Sequence, residues 1–233
     1  QVRLKIAVLI AKFAALLSKK VLRRSGETIS GRVLLAIYPK AIIDLSKGKQ
    51  IICVSGTNGK TSTTKALVSV VSKLGSVATS PSGSNLERGI AAALMNKSEY
   101  AVLEVDELHL SRVIEEAKPR AVVLLNLTRD QLHRMHEVKR VADRWAKSAS
   151  AAPETIFFGD VDDPFVALAL KSAAQSQRIS FGGRKHLDAA VCPSCGKYLK
   201  WSRNNYKCSC GHSNANPDES FETGSAAFRN ATM

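Results

Sequence analysis

Acidic side chains are missing from the first 24 positions of this 233-residue chain, where seven cations stand instead: Arg3, Lys5, Lys12, Lys19, Lys20, Arg23 and Arg24. Lys and Arg number 34 against 20 Asp and Glu, a net charge of +14, so half of the excess lies in that one stretch. An apolar run long enough to span a bilayer, about 20 residues, is also missing. The opening run from Ile6 to Leu17 is broken by Lys12, and no clean small-residue cleavage site follows it, which argues against a secretory signal. A cytoplasmic chain is therefore expected, in a compartment where thiols stay reduced and grouped cysteines point to metal rather than to disulfides. No internal repeat is present.

With 45% hydrophobic residues the chain can bury a substantial core, and its length suits one main domain with an appendage. The positive excess points to an anionic partner: nucleotide, nucleic acid, acidic lipid or acidic substrate. In the basic opening stretch Leu4, Val8, Ala11, Ala15 and Val21, with Leu9, Ile10, Leu16 and Leu17 beside them, predict a helix with a wide apolar stripe. Such a helix either packs its stripe on the domain or rests on an anionic membrane surface.

From Ile51 to Ser55 an apolar run enters a Gly-rich turn, and Ala66, Leu67, Val70, Val71 and Leu74 then repeat at helical spacing. Runs at 101–105, 121–127 and 155–158 read as buried parallel strands, with helices around 86–96, 108–117 and 138–149 between them. Alternation of this kind predicts an α/β fold, a mostly parallel sheet with helices on both faces and ligands at the carboxyl ends of the strands.

The heptad Gly56-Thr57-Asn58-Gly59-Lys60-Thr61-Ser62 falls between that first strand and its helix, the context in which a phosphate loop works. Glycines let backbone N–H groups approach phosphates, Lys60 adds a point charge at the β/γ phosphates, and Thr61 offers a hydroxyl to Mg²⁺. ATP with Mg²⁺ is the ligand this predicts. Magnesium needs a further carboxylate, because its octahedral shell combines one or two carboxylates with waters and phosphates. Glu104, at the end of the 101–105 strand, is the first choice, while Asp106 and Glu107 serve equally well as caps of the next helix.

The general Walker pattern has a glycine where this chain has Val54, so the match is to the shorter Gly-Thr-Asn-Gly-Lys-Thr form. With that form go Ser82-Gly83-Ser84-Asn85-Leu86 and Gly89-Ile90, Leu103 to Glu107, Asn126-Leu127-Thr128-Arg129-Asp130-Gln131-Leu132 and Asp162-Asp163-Pro164. On these residues the chain resembles the Mur ligases, and among them the subunits that amidate the D-glutamate of lipid II. The likeness runs from the opening helix to about Asp218. It implies a Mur-ligase central domain in which Lys60 and Glu104 are catalytic, and in which Asn85, Asn126 and Asp130 line the nucleotide and substrate cleft. Gln131 replaces the histidine that usually follows the aspartate matching Asp130, as the amidating pattern prefers. The family also tends to carry an asparagine before Asp-Asp-Pro, next to adenine, and Gly159 stands there instead. No lysine near Asp143-Arg144-Trp145 matches the one that several Mur ligases carbamylate.

Aliphatic content drops near Lys185, and Cys192-Pro193-Ser194-Cys195-Gly196 and Cys208-Ser209-Cys210-Gly211 follow. Two thiolate pairs in a core-poor segment read as a structural zinc ribbon, with Zn²⁺ held by Cys192, Cys195, Cys208 and Cys210. The second pair has one intervening residue rather than two, so its turn must differ. His212 is an alternative ligand or an exposed side chain. Cys53 reads as a small buried hydrophobe. The domains expected are 1–185, the helix and ATP-binding domain; 186–218, the zinc ribbon; and 219–233, a polar tail without the C-terminal ligase domain of the resembled enzymes, so that the chain alone is expected to be inactive.

The resemblance implies ATP-dependent activation of the lipid II carboxylate, with ammonia from a GatD-like glutaminase partner, because this chain has no convincing Cys-His nucleophile pair of its own. Two other readings stand beside it. One is a nucleic-acid-binding ribbon protein, motivated by Lys197, Lys200, Trp201, Arg203 and Lys207, although nucleic acid is not the expected partner. The other is a folylpolyglutamate-type ligase, which shares the loop but has no need of the cysteine insert.

Overall fold

The computed structural model describes residues 2–22, 27–80, 84–127, 135–182, 190–202, 205–214 and 218–220. In chain order the elements are α1 (Val2–Leu22), α2 (Glu27–Ile37), α3 (Ala41–Ser46), β1 (Gln50–Ser55), α4 (Lys60–Val71), β2 (Val77–Thr79), α5 (Glu87–Leu94) and β3 (Tyr100–Glu104). There follow α6 (Leu110–Ala117), β4 (Ala121–Leu124), α7 (Met135–Ala151), β5 (Ile156–Asp160), α8 (Pro164–Lys171), β6 (Arg178–Gly182), β7 (Lys200–Ser202), β8 (Asn205–Lys207) and β9 (Glu219–Ser220). Two compact units result, Gln1–Cys53 with Thr64–Pro119, and Val54–Thr63 with Arg120–Met233.

In the first unit the strand order is β2-β3-β1. Strands β2 and β3 pair in parallel with Ala78 opposite Ala101, and every residue of β3 after Tyr100 is buried. Such continuous burial is why the strand reads as an unbroken apolar run rather than an alternating one. Helix α6 buries Leu110, Val113, Ile114 and Ala117, the three-four spacing of a helix with one apolar face, and ends on Lys118 in the left-handed conformation. Helix α2 lies on α5 so closely that a Cβ on Gly31 would come within 1.7 Å of the Arg88 carbonyl oxygen.

The second unit takes the end of β1 and continues β4-β5-β6-β9, all parallel where they pair. The run expected as one strand at 121–127 ends at Leu124, because Leu125 to Leu127 leave the ladder to meet the phosphate loop. Helix α8 has a complete N-terminus: Asp163 accepts from the amides of Phe165 and Val166, and Pro164 fills the first helical position. The α/β expectation therefore holds as a parallel sheet with packed helices. Elements α2, α3, β2, α8, β6 and β9 were not foreseen, being short or lacking a clear apolar period.

Helix α1 packs on the fold through part of the expected stripe. Its sides turned to the fold are the small residues Ala7, Ala11 and Ser18, with Leu4, Val8 and Ala15 half-buried, and α2 covers them. The larger residues Leu9, Ile10, Leu16 and Leu17 face away from the fold. Small residues allow two helices to approach, which no periodicity in the sequence distinguishes from a stripe of large ones.

Candidate functional site: a phosphate loop and a four-cysteine ribbon

The phosphate loop is built by close backbone approach. Gly56 has φ +148°, and a Cβ there would lie 2.9 Å from both the Asn126 amide nitrogen and the Leu125 Cβ. The Thr57 amide donates to the Asn126 carbonyl at 2.7 Å, and the Leu125 amide donates to the Ser55 carbonyl at 2.9 Å. Only glycine fits a position with both that torsion and that contact. Gly59 is also at positive φ, and α4 starts on the next residue. The first N–H groups of α4 have no carbonyl of their own helix to donate to, and with the helix dipole they favour an anion.

Buried Asn126 fixes the loop from below. Its Oδ1 accepts from the Asn58 amide at 3.1 Å, and its Nδ2 donates to the Asn58 carbonyl at 2.9 Å. Asp163 extends the same brace, since its Oδ2 accepts from the Leu127 amide at 2.7 Å while its Oδ1 caps α8. A line of hydrogen bonds thus runs from the start of α8, through the exit of β4, to the phosphate loop. Asn126 is accordingly placed as a positioning residue beneath the loop. The Lys60 ammonium donates to the carbonyls of Gly56 and Thr57, the latter at 3.1 Å, which holds it over the loop. Asn58 and Ser62 are exposed on the open side, with Thr57, Gly59, Lys60 and Thr61 half-buried.

Glu104 is buried at the end of β3 in the first unit. Beside it Asp106 acts as a cap, its Oδ1 accepting from the Leu108 amide at 2.9 Å and its carbonyl accepting from His109 and Leu110. The Asn85 carbonyl accepts from the Asp106 amide at 2.9 Å, so Asn85 holds the turn that follows Glu104. Asp130 lies outside the described residues, as do Ser82, Gly83, Thr128, Arg129, Gln131 and Leu132. Cys53 is fully buried, and burial pushes its thiol up to about 12, as a small hydrophobe requires. Gly159 has a packing reason: a Cβ there would be 3.1 Å from the Val166 Cγ1 and 3.4 Å from Leu170, so α8 packs tightly over this position.

The four cysteines come together. Sγ of Cys192 lies 3.6 Å from that of Cys210, Sγ of Cys195 lies 3.4 Å from that of Cys208, and all four are within 4.8 Å of one another. Tetrahedral zinc with Zn–S bonds of about 2.3 Å needs sulfurs about 3.8 Å apart, so the arrangement fits. Each pair sits on a turn closed by backbone bonds, Cys192 N–H to Lys197 O at 2.8 Å and Cys208 N–H to His212 O at 2.7 Å. The one-residue spacing of the second pair is accommodated by this turn, with Gly211 at φ +90°. Burial pushes the Cys192 thiol up to about 12, while a hydrogen bond from the Cys210 backbone pulls Cys208 down to about 6.

Beneath the cysteines Leu199, Trp201 and Tyr206 form a small core, with the Trp201 and Tyr206 rings edge to face at 5.2 Å. His212 is not exposed, as one expectation had it: its ring stacks on Tyr206 at 5.7 Å, and its Nε2 is buried. Burial first, and then nearby Lys171, lower its pKa. A cavity of about 270 Å³ lies between α8, β6 and the ribbon, with Leu170, Lys171, Ser180, His212 and Asp218 among its walls. Asp218 ties the segment after the ribbon to β6 by accepting from the Ser180 amide and hydroxyl at 2.7 Å each.

A phosphate loop on a parallel sheet, with a four-cysteine ribbon in the same unit, defines an α/β domain of the nucleotide-binding kind. The chain belongs to the Mur ligase family, matching the Mur ligase middle domain over residues 54–214. It is 30% identical over 198 residues to the lipid II isoglutaminyl synthase (glutamine-hydrolyzing) subunit MurT of Streptococcus pneumoniae, covering 78% of this chain and 44% of that one. With the same subunit of Staphylococcus aureus it shares 29% identity over 88% of this chain and 51% of that one. The chain thus spans about half the length of the curated relatives it matches. Among solved structures, a pseudomurein peptide ligase type C from Methanothermus fervidus superposes with a TM-score of 0.55 at 22% identity, over 75% of this chain and 39% of that one. MurF from Acinetobacter baumannii gives 0.54 at 22% identity, over 65% and 35%. These two establish the fold.

Proposed function

We propose that this chain is the ATP-binding, carboxylate-activating part of a glutamine-dependent amidotransferase that converts the D-glutamate of lipid II to D-isoglutamine. The observation that carries the reading is the combination, in one domain, of a Mur-type phosphate loop and a four-cysteine ribbon. The two relatives described above carry this activity in their names. In the proposed reaction the substrate carboxylate oxygen attacks the γ-phosphorus of ATP, ADP leaves, and ammonia then displaces phosphate from the acyl phosphate. A GatD-like glutaminase supplies the ammonia.

In this reading the amides of Gly56 to Ser62 and the Lys60 ammonium bind the phosphates, with Lys60 leaving its loop carbonyls for the β/γ oxygens. Thr61 and Glu104 would hold Mg²⁺, which when bound neutralises charge on the transferring phosphoryl group. Asn126 and Asp163 act through the loop by holding it in shape, while Asn85 steadies the turn after Glu104. Asp130 is assigned to the cleft on the family resemblance. Cys192, Cys195, Cys208 and Cys210 would hold a structural zinc, since a closed tetrathiolate site leaves no open position for chemistry. The reaction is assigned to the cytoplasm, with lipid II presented at the inner face of the membrane.

The test is mass spectrometry of lipid II incubated with ATP, Mg²⁺, glutamine, the glutaminase partner and the full-length protein. Conversion of acid to amide is expected, with none from Lys60→Ala. A complex that binds Mg-ATP and hydrolyses glutamine yet leaves lipid II unchanged would overturn the reading.

A further inference from the structure

Helix α1 turns a continuous apolar surface outward. Val2 is 71% exposed, Leu9 70%, Phe13 61% and Leu16 66%, with Ile6, Ile10 and Leu17 exposed between them. At 3.6 residues per turn these seven residues fall on one side of the helix, opposite the small residues Ala7, Ala11 and Ser18 that pack toward α2. Exposed Lys5 and Lys12, seven residues apart, stand on one flank of this surface, and exposed Arg3 stands on the other. The helix also carries Lys19 and Lys20 and has no acidic residue anywhere along it.

An apolar patch of this size is too costly to leave in water, so something covers it. Charge selects among the possible occupants. A second copy of the same helix would bring cations against cations, whereas an anionic lipid surface takes both the apolar side chains and the cations beside them. Among the described residues no helix is long and apolar enough to cross a membrane, so the match is to a helix lying in the interface plane.

We propose that α1 docks this domain on anionic bilayers. Val2, Ile6, Leu9, Phe13 and Leu16 enter the boundary between headgroups and acyl chains, and Arg3, Lys5 and Lys12 meet lipid phosphates. Docking of this kind would hold the nucleotide site at the surface from which a lipid-linked substrate is presented. The inference does not depend on the proposed reaction, because vesicle binding without nucleotide reads one and lipid II conversion reads the other.

Sedimentation with vesicles of phosphatidylcholine, with and without phosphatidylglycerol, tests it. Binding to the anionic vesicles should exceed binding to the neutral ones by about tenfold or more at low salt, since each cation near the surface adds to the attraction. Phe13→Ser with Leu16→Ser should abolish binding to both, and Lys5→Gln with Lys12→Gln should remove the anionic preference. Phe13→Trp should shift its emission to the blue on adding anionic vesicles. All four positions are exposed, so unchanged Mg-ATP binding serves as the folding control. A folded protein that ignores anionic vesicles, or binds them equally after Phe13→Ser with Leu16→Ser, overturns the proposal. So does a dimer in light scattering that dissociates with that double variant, which would make a second copy the occupant.

Discussion

The phosphate loop and the ribbon both place glycines at positive φ, yet they use them differently. At Gly56 an added Cβ would strike the backbone of Asn126 at 2.9 Å, whereas at Gly196 and Gly211 it would meet nothing within 4 Å. The loop is held by tertiary contact, with Leu125, Asn126 and Asp163 bracing it from β4 and α8. The ribbon is held by its own backbone turns and by four sulfurs around a common centre, over a core of only a few side chains. One region borrows order from the sheet, and the other is expected to complete its own with a bound metal.

The largest expected effect comes from stripping the metal. Structural zinc supplies on the order of 10 kcal/mol to small thiolate domains. Chelation, or Cys208→Ser, should therefore release the amides of residues 191–213 to fast hydrogen exchange. Mg-ATP binding should change by less than about threefold, because the braces of the loop do not involve the ribbon sulfurs. Coupled loss of both regions would show that the loop depends on the ribbon, and elemental analysis of protein purified without chelator should find one zinc per chain.

A smaller effect is expected at Gly56. Gly56→Ala introduces both the 2.9 Å contacts and an unfavourable torsion, which together should cost about 2–4 kcal/mol in chemical denaturation. Gly196→Ala, with open space around it, should cost about 1 kcal/mol from the torsion alone. Equal losses at the two positions would remove the distinction drawn between them.

Lys60→Ala probes binding rather than folding. Its ammonium donates to the Gly56 and Thr57 carbonyls of its own loop, and loss of those bonds should lower the melting temperature less than it lowers the affinity. Loss of a charged hydrogen bond to phosphate, about 1.5–3 kcal/mol, should weaken Mg-ATP binding by roughly 10- to 150-fold in calorimetric titration. Wild-type affinity in the variant would exclude Lys60 from the site.

The smallest effect is at Asp218. Its hydrogen bonds from the Ser180 amide and hydroxyl lower its pKa below the ordinary 3.8. A lowered folded-state pKa gives a contribution that is complete above the ordinary value and is lost as pH falls through the folded one. Asp218→Asn should therefore be slightly less stable than wild type at neutrality, with a flatter profile and a shrinking difference below about pH 4, measured by denaturation across that range. The same pH dependence in both proteins would mean that the link between Asp218 and β6 contributes nothing.

Much of this was legible in the residues themselves. The heptad 56–62 carries its meaning because backbone approach to phosphate requires glycine, and because lysine and hydroxyl chemistry admit few substitutes. The cysteines are equally explicit, since four thiols in a segment too poor in aliphatics for a core have few other uses. Strands β3 and β4 showed as unbroken apolar runs because both of their faces are buried. Helix α2 escaped notice because its approach to α5 depends on Gly31, whose value lies in what it allows a neighbour to do, and α3 because six residues are too few to show a period.

Sequence alone marked the heptad 56–62 and the four cysteines as candidates for phosphate and metal, since such chemistry depends on which atoms a residue carries. Tertiary structure decided the rest. It turned the large side chains of α1 away from the fold and its alanines inward, set Asn126 beneath the loop, and packed α8 tightly over Gly159. Each of these depends on which surfaces meet, and a helical or strand period is the same whichever of its faces finds a partner.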